Sequence, residues 1–278
     1  MDNSEQIEYW NGEAGRKWVA YADLLDAMLE PFADMVVSAA RLQSGERVMD
    51  IGCGGGALTL KAAREVGPAK GALGVDISEP LLALARDRAA SASLPATFEC
   101  ADASSYRAAE PIDAVISRFG VMFFEDPAQA FGAIRGNLRG DGRIVFMCWQ
   151  SLAENDWARA PLEAALPFLS EMPESPAPGT PGPFAFADKD HIARFMAEAG
   201  WRDVEIAPWA GKMQLPGESA QFSTDFMMKL GPVARLVEAQ GVDLAPIQAA
   251  LQTRLEGMLG ADGRVWMQAA CWMVSAKA

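Results

Sequence analysis

Between residues 46 and 149 the chain alternates short apolar runs with longer segments whose apolar residues recur every three or four positions. The short runs predict five strands, at 48–51, 72–76, 96–101, 112–117 and 143–149. The longer segments predict helices, at 55–66, 78–92 and 127–138. Strands that alternate with helices in this way form a parallel sheet covered on both faces.

Two more strands are predicted near the carboxyl end of the chain. The first, 201–207, follows a helix that begins after Asp188 and ends at Gly200. The second, 265–276, leaves no room for a crossover helix, so we expect it to pair antiparallel beside the sixth strand. The predicted fold is therefore α/β, a doubly wound, Rossmann-like, seven-stranded and mostly parallel sheet with an antiparallel last strand and helical lid insertions.

The pattern also divides the chain into six segments. We predict an N-terminal helical lid at 1–44, a ligand-binding core at 45–149, a proline-rich lid insertion at 150–187, a core helix and strand at 188–210, a helical lid at 211–262 and a final core strand at 263–278. Pro31 predicts a bend near Glu30. Breaks are expected at 231–232 and 245–246, where each pair ends in proline.

A glycine cluster follows the first predicted strand, in the order Val48-Met-Asp50-Ile-Gly52-Cys-Gly54-Gly-Gly56-Ala57. A strand, glycine turn and helix bring bare backbone and free helix N–H groups close to a ligand. Gly52, Gly54 and Ala57 fit the spacing of a dinucleotide site. Asp50 favours S-adenosylmethionine instead, because a carboxylate attracts its cationic amino group and repels a pyrophosphate. Asp50 could also simply cap the turn or the helix.

Two further acids end the next two predicted strands. Asp76 lies about twenty residues beyond the glycine turn, where a carboxylate can accept both hydroxyls of a ribose. Asp102 ends strand three, where it can accept from an adenine amino group while the N–H of Ala103 serves a ring nitrogen. Asp102 could equally cap the short segment that follows it. Acids after three successive strands favour an adenosyl ligand that also carries an amino group.

Composition narrows the range of partners. The net charge of −13 disfavours nucleic acid or an anionic membrane, since phosphates need a basic face. No apolar run is long enough for a membrane helix, and the acidic start differs from a signal peptide. The four cysteines are widely spaced, without Cys-x-x-Cys, which indicates reduced thiols in a cytoplasmic protein. We therefore expect a small-molecule ligand, with no nucleic acid and no membrane.

These motifs resemble those of the class I S-adenosylmethionine-dependent methyltransferases, in particular the ubiquinone and menaquinone biosynthesis (type 11) group. The resemblance covers roughly residues 45–150 and rests on the stretches 48–56, 74–78, 101–103, 112–122 and 139–143. It implies S-adenosyl-L-methionine as cofactor, S-adenosyl-L-homocysteine as product, and no metal. It further implies cofactor contacts from Asp50 to the ammonium group, from Asp76 to the ribose, from Asp102 and Ala103 to the base, from Ile77 against adenine, and from Gly52, Cys53, Gly54, Ser117 and Arg118 to the methionine end.

The acceptor of the methyl group is less constrained by the sequence. The lid segments are rich in Met, Phe, Trp and Leu, which suggests a closed chamber for a small, largely apolar molecule. Candidates for its walls are Trp18, Phe119 and Trp157. Candidates for a general base are His191, which is the single histidine, Tyr9 and Tyr21. We expect a monomer or a homodimer.

Two other functions remain open at this point. A nicotinamide-dependent oxidoreductase would use the same glycines with Asp76 on the ribose. A protein of the methyltransferase fold that binds the cofactor without transferring a methyl group would keep all the cofactor residues. For the leading helix, plain packing against the domain and a lid that lays an aromatic ring over the ligand are both compatible with the pattern.

Overall fold

The computed structural model describes residues 3–171, 177, 179–230 and 232–278. Its centre is one seven-stranded sheet with the order β3-β2-β1-β4-β5-β7-β6. The strands are β1 Val48–Ile51, β2 Ala72–Asp76, β3 Ala96–Cys100, β4 Ile112–Arg118, β5 Leu138–Trp149, β6 Arg202–Gln214 and β7 Trp266–Lys277. Neighbouring strands from β1 to β5 are parallel, and β7 runs antiparallel to both β5 and β6. The predicted fold and the antiparallel last strand are confirmed.

Two strands are longer than the sequence pattern predicts. β6 continues to Gln214, seven residues past its predicted end at Ala207, because its antiparallel pairing with β7 continues as far as Trp266. β5 begins at Leu138, five residues before its predicted start at Arg143, and its pairing with β4 shifts register between these two residues. In both cases the length of the partner strand decides where pairing ends, and the apolar pattern of a single strand does not contain this information.

The helices before β1 differ from the prediction. They are α1 Asn3–Asn11, α2 Glu13–Ala20 and α3 Ala22–Ala40. Pro31 does not begin a separate helix, since α3 is continuous through this residue. Pro31 is exposed, whereas Phe32, Ala33 and Val36 are fully buried against the sheet. Burial of this face stabilises the helix enough to offset the lost backbone hydrogen bond, which costs about 3 kcal/mol in an isolated helix.

The remaining helices are α4 Ala57–Val66, α5 Glu79–Ala92, α6 Pro127–Arg135, α7 Asp156–Ala165, α8 Lys189–Glu198, α9 Ala220–Leu230, α10 Pro232–Gln240 and α11 Leu244–Glu256. The predicted break at 231–232 involves residue 231, which lies outside the described residues. The break predicted at 245–246 occurs a few residues earlier, at 241–243 between α10 and α11, because Asp243 caps α11 through the N–H of Ala245 at 3.1 Å and Pro246 lies in its first turn. Residues 172–176 and 178 of the predicted insertion also lie outside the described part.

Helices from three separate segments gather around the sheet. α3 and α4 pack on the strands near β1, while α7 packs against α10 and α11. α2 contacts both α5 and α9, so it bridges the core and the helices that follow β6. Among the described helices, none combines the length and the apolar character that crossing a bilayer requires.

Candidate active site

A cavity of about 550 Å³ lies where the carboxyl ends of the parallel strands meet the helices of the N-terminal segment and α9. Parallel sheets bind ligands at this edge. Residues predicted for the site that line the cavity are Tyr9, Trp18, Gly52, Cys53, Gly54, Asp76, Ile77, Asp102, Ala103, Arg118, Phe119 and Trp157. Four other predicted residues, Tyr21, Asp50, Ser117 and His191, are not part of its lining.

The glycine turn after β1 forms part of the cavity floor. Gly52, Gly54 and Gly56 all have positive φ angles, between 52° and 82°, which favour glycine. A Cβ atom on Gly52 would lie 2.6 Å from the Cα of Gly120, and one on Gly120 would lie 2.4 Å from the carbonyl oxygen of Ile51. Gly54 has no atom within 4 Å of an added Cβ, because this position opens into the cavity. The turn therefore presents bare backbone to a ligand at Gly54 and packs closely, at Gly52, against Gly120, which also lines the cavity.

Asp76 holds the turn in place with both carboxylate oxygens. One oxygen accepts from the N–H of Gly54 at 2.8 Å, and the other accepts from the N–H of Ser78 at 2.8 Å. Burial raises the pKa of Asp76, and these backbone hydrogen bonds oppose the rise. Each oxygen of a carboxylate keeps a second lone pair. Since Asp76 lines the cavity, it can accept further hydrogen bonds from hydroxyl groups of a ligand.

Asp50 has a different position from the one its sequence context suggests. Its side chain is buried and accepts from the Oγ1 of Thr59 on α4 at 2.6 Å. It thus lies beneath the glycine turn and does not form part of the cavity wall. Burial raises the pKa of Asp50 to about 7, although the Thr59 hydrogen bond and the charge of Arg118 lower it. Near neutral pH the group is therefore poised between its charged and neutral forms.

Ser117 and Arg118 follow β4 with separate roles. Ser117 is buried, donates from Oγ to the carbonyl of Ile51 at 2.7 Å and accepts from the N–H of Gly120 at 3.2 Å. It ties the end of β4 to the end of β1. Arg118 lines the cavity, and its guanidinium lies 3.3 Å from the carboxylate of Asp26 on α3.

Asp26, which the sequence analysis missed, joins the N-terminal segment to the glycine turn. Besides Arg118, it pairs with Arg88 of α5 at 2.8 Å. Arg88 in turn donates to the carbonyl oxygen of Gly55 at 2.9 Å. A lone acid on an amphipathic helix carries no sequence feature that would distinguish it from a solvated charge. Only the approach of α3 to the turn gives it two arginine partners.

Asp102 shapes the loop after β3. Its carboxylate accepts from the N–H of Ser104 at 2.9 Å, a local turn that Asp side chains commonly form. The neighbouring Ala103 is buried at the cavity wall.

Cys53 of the glycine turn is buried as well, and burial raises the pKa of its thiol. The thiol is therefore a neutral, apolar part of the floor.

Stacked aromatic rings form one wall of the cavity. Phe119 has a φ of +62°, unusual for a residue with a bulky side chain, and its ring stacks on Trp149 at 3.9 Å with an angle of 4° between planes. Trp149 packs against Trp157 at 5.1 Å. Elsewhere in the lining, Trp10 packs edge-on against Trp18 at 5.3 Å and Phe123 at 5.9 Å. The sequence analysis did not assign Trp149 to the site.

The end of α1 is fastened to the turn that follows β2. The Nδ2 of Asn11 donates to the carbonyl of Ile77 at 2.8 Å, and its Oδ1 accepts from the N–H of Glu79 at 3.0 Å. The Oγ of Ser78 donates to the carbonyl of Trp10 at 2.8 Å. These three bonds hold an aromatic segment beside Asp76, and the aromatic-rich start of the chain was the one sequence feature that pointed to it.

Of the three candidate bases, only Tyr9 lines the cavity. Tyr21 packs edge-on against Phe226 at 6.0 Å. His191 packs between Phe186 and Phe195, and its buried Nε2 has no hydrogen-bond partner. Within the described ranges, no three His, Cys, Asp or Glu side chains are placed to hold a metal ion.

Comparison with known proteins agrees with this geometry. Residues 48–142 match the methyltransferase domain family. Demethylmenaquinone methyltransferase of Thermus thermophilus is 30% identical over 159 residues, which cover 54% of this chain and 72% of that protein. An uncharacterised protein of Mycobacterium tuberculosis is 30% identical over 130 residues, 46% of each chain. This chain thus matches about half the length of that relative.

Two solved structures share the fold at low sequence identity. The YcgJ protein of Bacillus subtilis has a TM-score of 0.55 at 15% identity, with 89% of this chain and 98% of that one covered. The [4+2]-cyclase SpnF has a TM-score of 0.54 at 17% identity, with 95% of this chain and 96% of that one covered. The cavity at the strand ends, the acid–glycine turn and these matches agree: the chain belongs to the class I S-adenosylmethionine-dependent methyltransferases, and it resembles the ubiquinone and menaquinone methyltransferases within that class.

Proposed function

We propose that this protein transfers a methyl group from S-adenosylmethionine to a small, largely apolar acceptor held in the same cavity. The observation that carries the proposal is the glycine turn at Gly54, which opens into the cavity beside the carboxylate of Asp76. Bare backbone next to a carboxylate with spare lone pairs fits an adenosyl ligand that brings hydroxyl donors.

The residues at the strand ends would divide the cofactor between them. Asp76 would accept from the ribose hydroxyls, and Ile77 would pack on the adenine. Asp102 would accept from the adenine amino group, next to the N–H of Ala103. Their common position in the cavity lining supports this division.

The methionine end would lie over the glycine turn, near Arg118. Asp50 would attract the ammonium group of the cofactor electrostatically and without direct contact. Its carboxylate bonds to Thr59 below the turn and is not part of the cavity lining. An ionised carboxylate in a poorly solvated position attracts a nearby cation more strongly than one in water. A cationic ligand above the turn would in return favour the ionised form of Asp50.

When bound, the cofactor supplies a methyl group on a positively charged sulfonium, so the acceptor atom needs mainly to be oriented and close. The wall of Phe119, Trp149 and Trp157 and the apolar residues Met213 and Leu215 would hold an apolar molecule and exclude water from the sulfonium. Among the candidate bases, Tyr9 is the one whose position allows contact with the acceptor.

Calorimetric titration of the full chain with S-adenosylhomocysteine, and in parallel with NAD, tests the cofactor assignment. We expect heat of binding with the first ligand and none with the second. Saturable binding of NAD, or no binding of S-adenosylhomocysteine at millimolar concentration, would refute it. A screen of apolar acceptors for release of S-adenosylhomocysteine then separates methyl transfer from binding without transfer, which matters because a protein described as a [4+2]-cyclase has the same fold.

A further inference from the structure

Three cations line the cavity, and two of them have carboxylate partners. Lys17 of α2 pairs with Glu13 at 2.7 Å, and Arg118 pairs with Asp26 at 3.3 Å. The third, Lys229, lies in the last turn of α9. In the described part of the chain no carboxylate lies within 4 Å of its ammonium group.

The ammonium of Lys229 is held at the cavity edge by an aromatic ring. It lies 5.7 Å from the ring centroid of Tyr21, which follows the end of α2 and packs against Phe226. A cation over a tyrosine face gains roughly 0.5–1 kcal/mol at an exposed site. The acid one turn earlier on α9, Asp225, accepts instead from Gln221 at 3.1 Å. Lys229 thus keeps its three N–H donors available to a ligand.

The lining beside this lysine is apolar. Phe226, Met227 and Leu230 of α9 lie next to it in sequence and also line the cavity, together with Met213 and Leu215 from the end of β6. An apolar surface with one available cation at its edge complements a molecule with an apolar body and an anionic end. It complements a neutral or cationic acceptor less well.

We propose that Lys229 binds a carboxylate of the acceptor, so that the substrate class is an apolar carboxylic acid. This assignment rests on the proposed function, since it takes the second ligand of the cavity to be the methyl acceptor. The competing explanation is that Lys229 only offsets the negative end of the α9 helix dipole. In that case the lysine would stabilise the helix and would not distinguish charged from neutral ligands.

Two probes of nearly equal size separate these explanations. The full chain, saturated with S-adenosylhomocysteine, is titrated in a calorimeter with 2-naphthoate and with 2-naphthamide, which differ in charge. We expect the naphthoate to bind about fivefold more tightly, the upper end of what an ion pair with an exposed lysine supplies. Lys229→Met should abolish this preference, Lys229→Arg should keep most of it, and added salt should weaken it in the wild type.

A lysine outside the cavity provides the matched control. Lys189 on α8 is exposed and is not part of the lining, so Lys189→Met should keep the full preference. Equal affinity for the two probes, binding of neither, or a preference that survives Lys229→Met would overturn the assignment. Binding of S-adenosylhomocysteine is measured first and separately, so its absence would refute the cofactor assignment, whereas normal cofactor binding without a charge preference would refute only the role of Lys229.

Discussion

One added methyl group at either of two glycines should separate the stability of the fold from binding of the cofactor. Gly120 has φ and ψ of −89° and −24°, which any residue adopts, so Gly120→Ala introduces no backbone strain of its own. Its new Cβ would nevertheless lie 2.4 Å from the carbonyl oxygen of Ile51 and 2.8 Å from the Cα of Gly52. Both neighbours are backbone atoms and cannot move aside by a change of rotamer.

The expected cost of Gly120→Ala is a loss of about 3 kcal/mol in the free energy of unfolding, typical of strong overpacking. Gly54→Ala should behave in the opposite way. Its Cβ would meet no atom within 4 Å, so the fold should lose only about 1 kcal/mol for the positive φ of 52°. The same methyl group would occupy space at the cavity floor, and we expect it to weaken binding of S-adenosylhomocysteine by at least about tenfold, or 1.4 kcal/mol.

Gly132 supplies the control, because it lies inside α6 and an added Cβ meets nothing within 4 Å. Gly132→Ala should stabilise the protein by roughly 0.5–1 kcal/mol and leave cofactor affinity unchanged. Urea unfolding monitored by tryptophan fluorescence measures the stability of the three variants, and calorimetry measures their affinity. If Gly120→Ala unfolds at the same urea concentration as Gly132→Ala, the close contact between the two loops does not exist in solution. If Gly54→Ala binds the cofactor normally, the turn does not contact it.

Three further predictions follow from individual side chains. Burial raises the pKa of Asp50 from 3.8 to about 7, so the folded state keeps this proton at pH values where the unfolded state has lost it; the resulting contribution to stability, on the order of 4 kcal/mol, is fully present below about pH 4 and is lost progressively between about pH 4 and pH 7. Affinity for S-adenosylhomocysteine should therefore be about tenfold higher at pH 8 than at pH 6, with protons released on binding, and Asp50→Asn should remove this pH dependence. Asp76→Asn leaves one of two backbone N–H donors facing an amide NH₂, so calorimetry should show cofactor binding weakened by about 1–3 kcal/mol. Asn11→Ala removes the bonds to the loop after β2 and should speed dissociation of S-adenosylhomocysteine by about tenfold in stopped-flow fluorescence.

Each of these three predictions has its own contrary result. Constant affinity between pH 6 and pH 8 in the wild type would mean that Asp50 does not sense the ligand. Wild-type affinity in Asp76→Asn would remove that residue from the ribose site. Gln43→Ala is the control for Asn11, since its exposed amide bonds only to the carbonyl of Arg41, and equal dissociation rates in both variants would show that the fastening of α1 is irrelevant to the cofactor.

The sequence by itself determined the sheet, the position of the turn and the predicted acids at the strand ends. Asp76 and Asp102 follow consecutive strands of a parallel sheet, and all such strands end at one edge, so their shared location follows from order along the chain alone. The glycine spacing also predicted the turn correctly. A positive φ is a local requirement of the backbone, and a glycine at that position indicates it.

Tertiary structure decided the direction of side chains and the meeting of distant segments. Asp50 stands near a strand end like Asp76, yet it pairs in register with Gly74 and so lies two residues short of the level of Asp76, where it faces Thr59 under the glycine turn and not the cavity. Packing of the N-terminal helices on the core likewise decides three other features: the continuous helix through Pro31, the two arginine partners of Asp26 and the bonds of Asn11 to the loop after β2. Local patterns fix local geometry, whereas contacts between residues sixty or more positions apart depend on packing that no window of sequence contains.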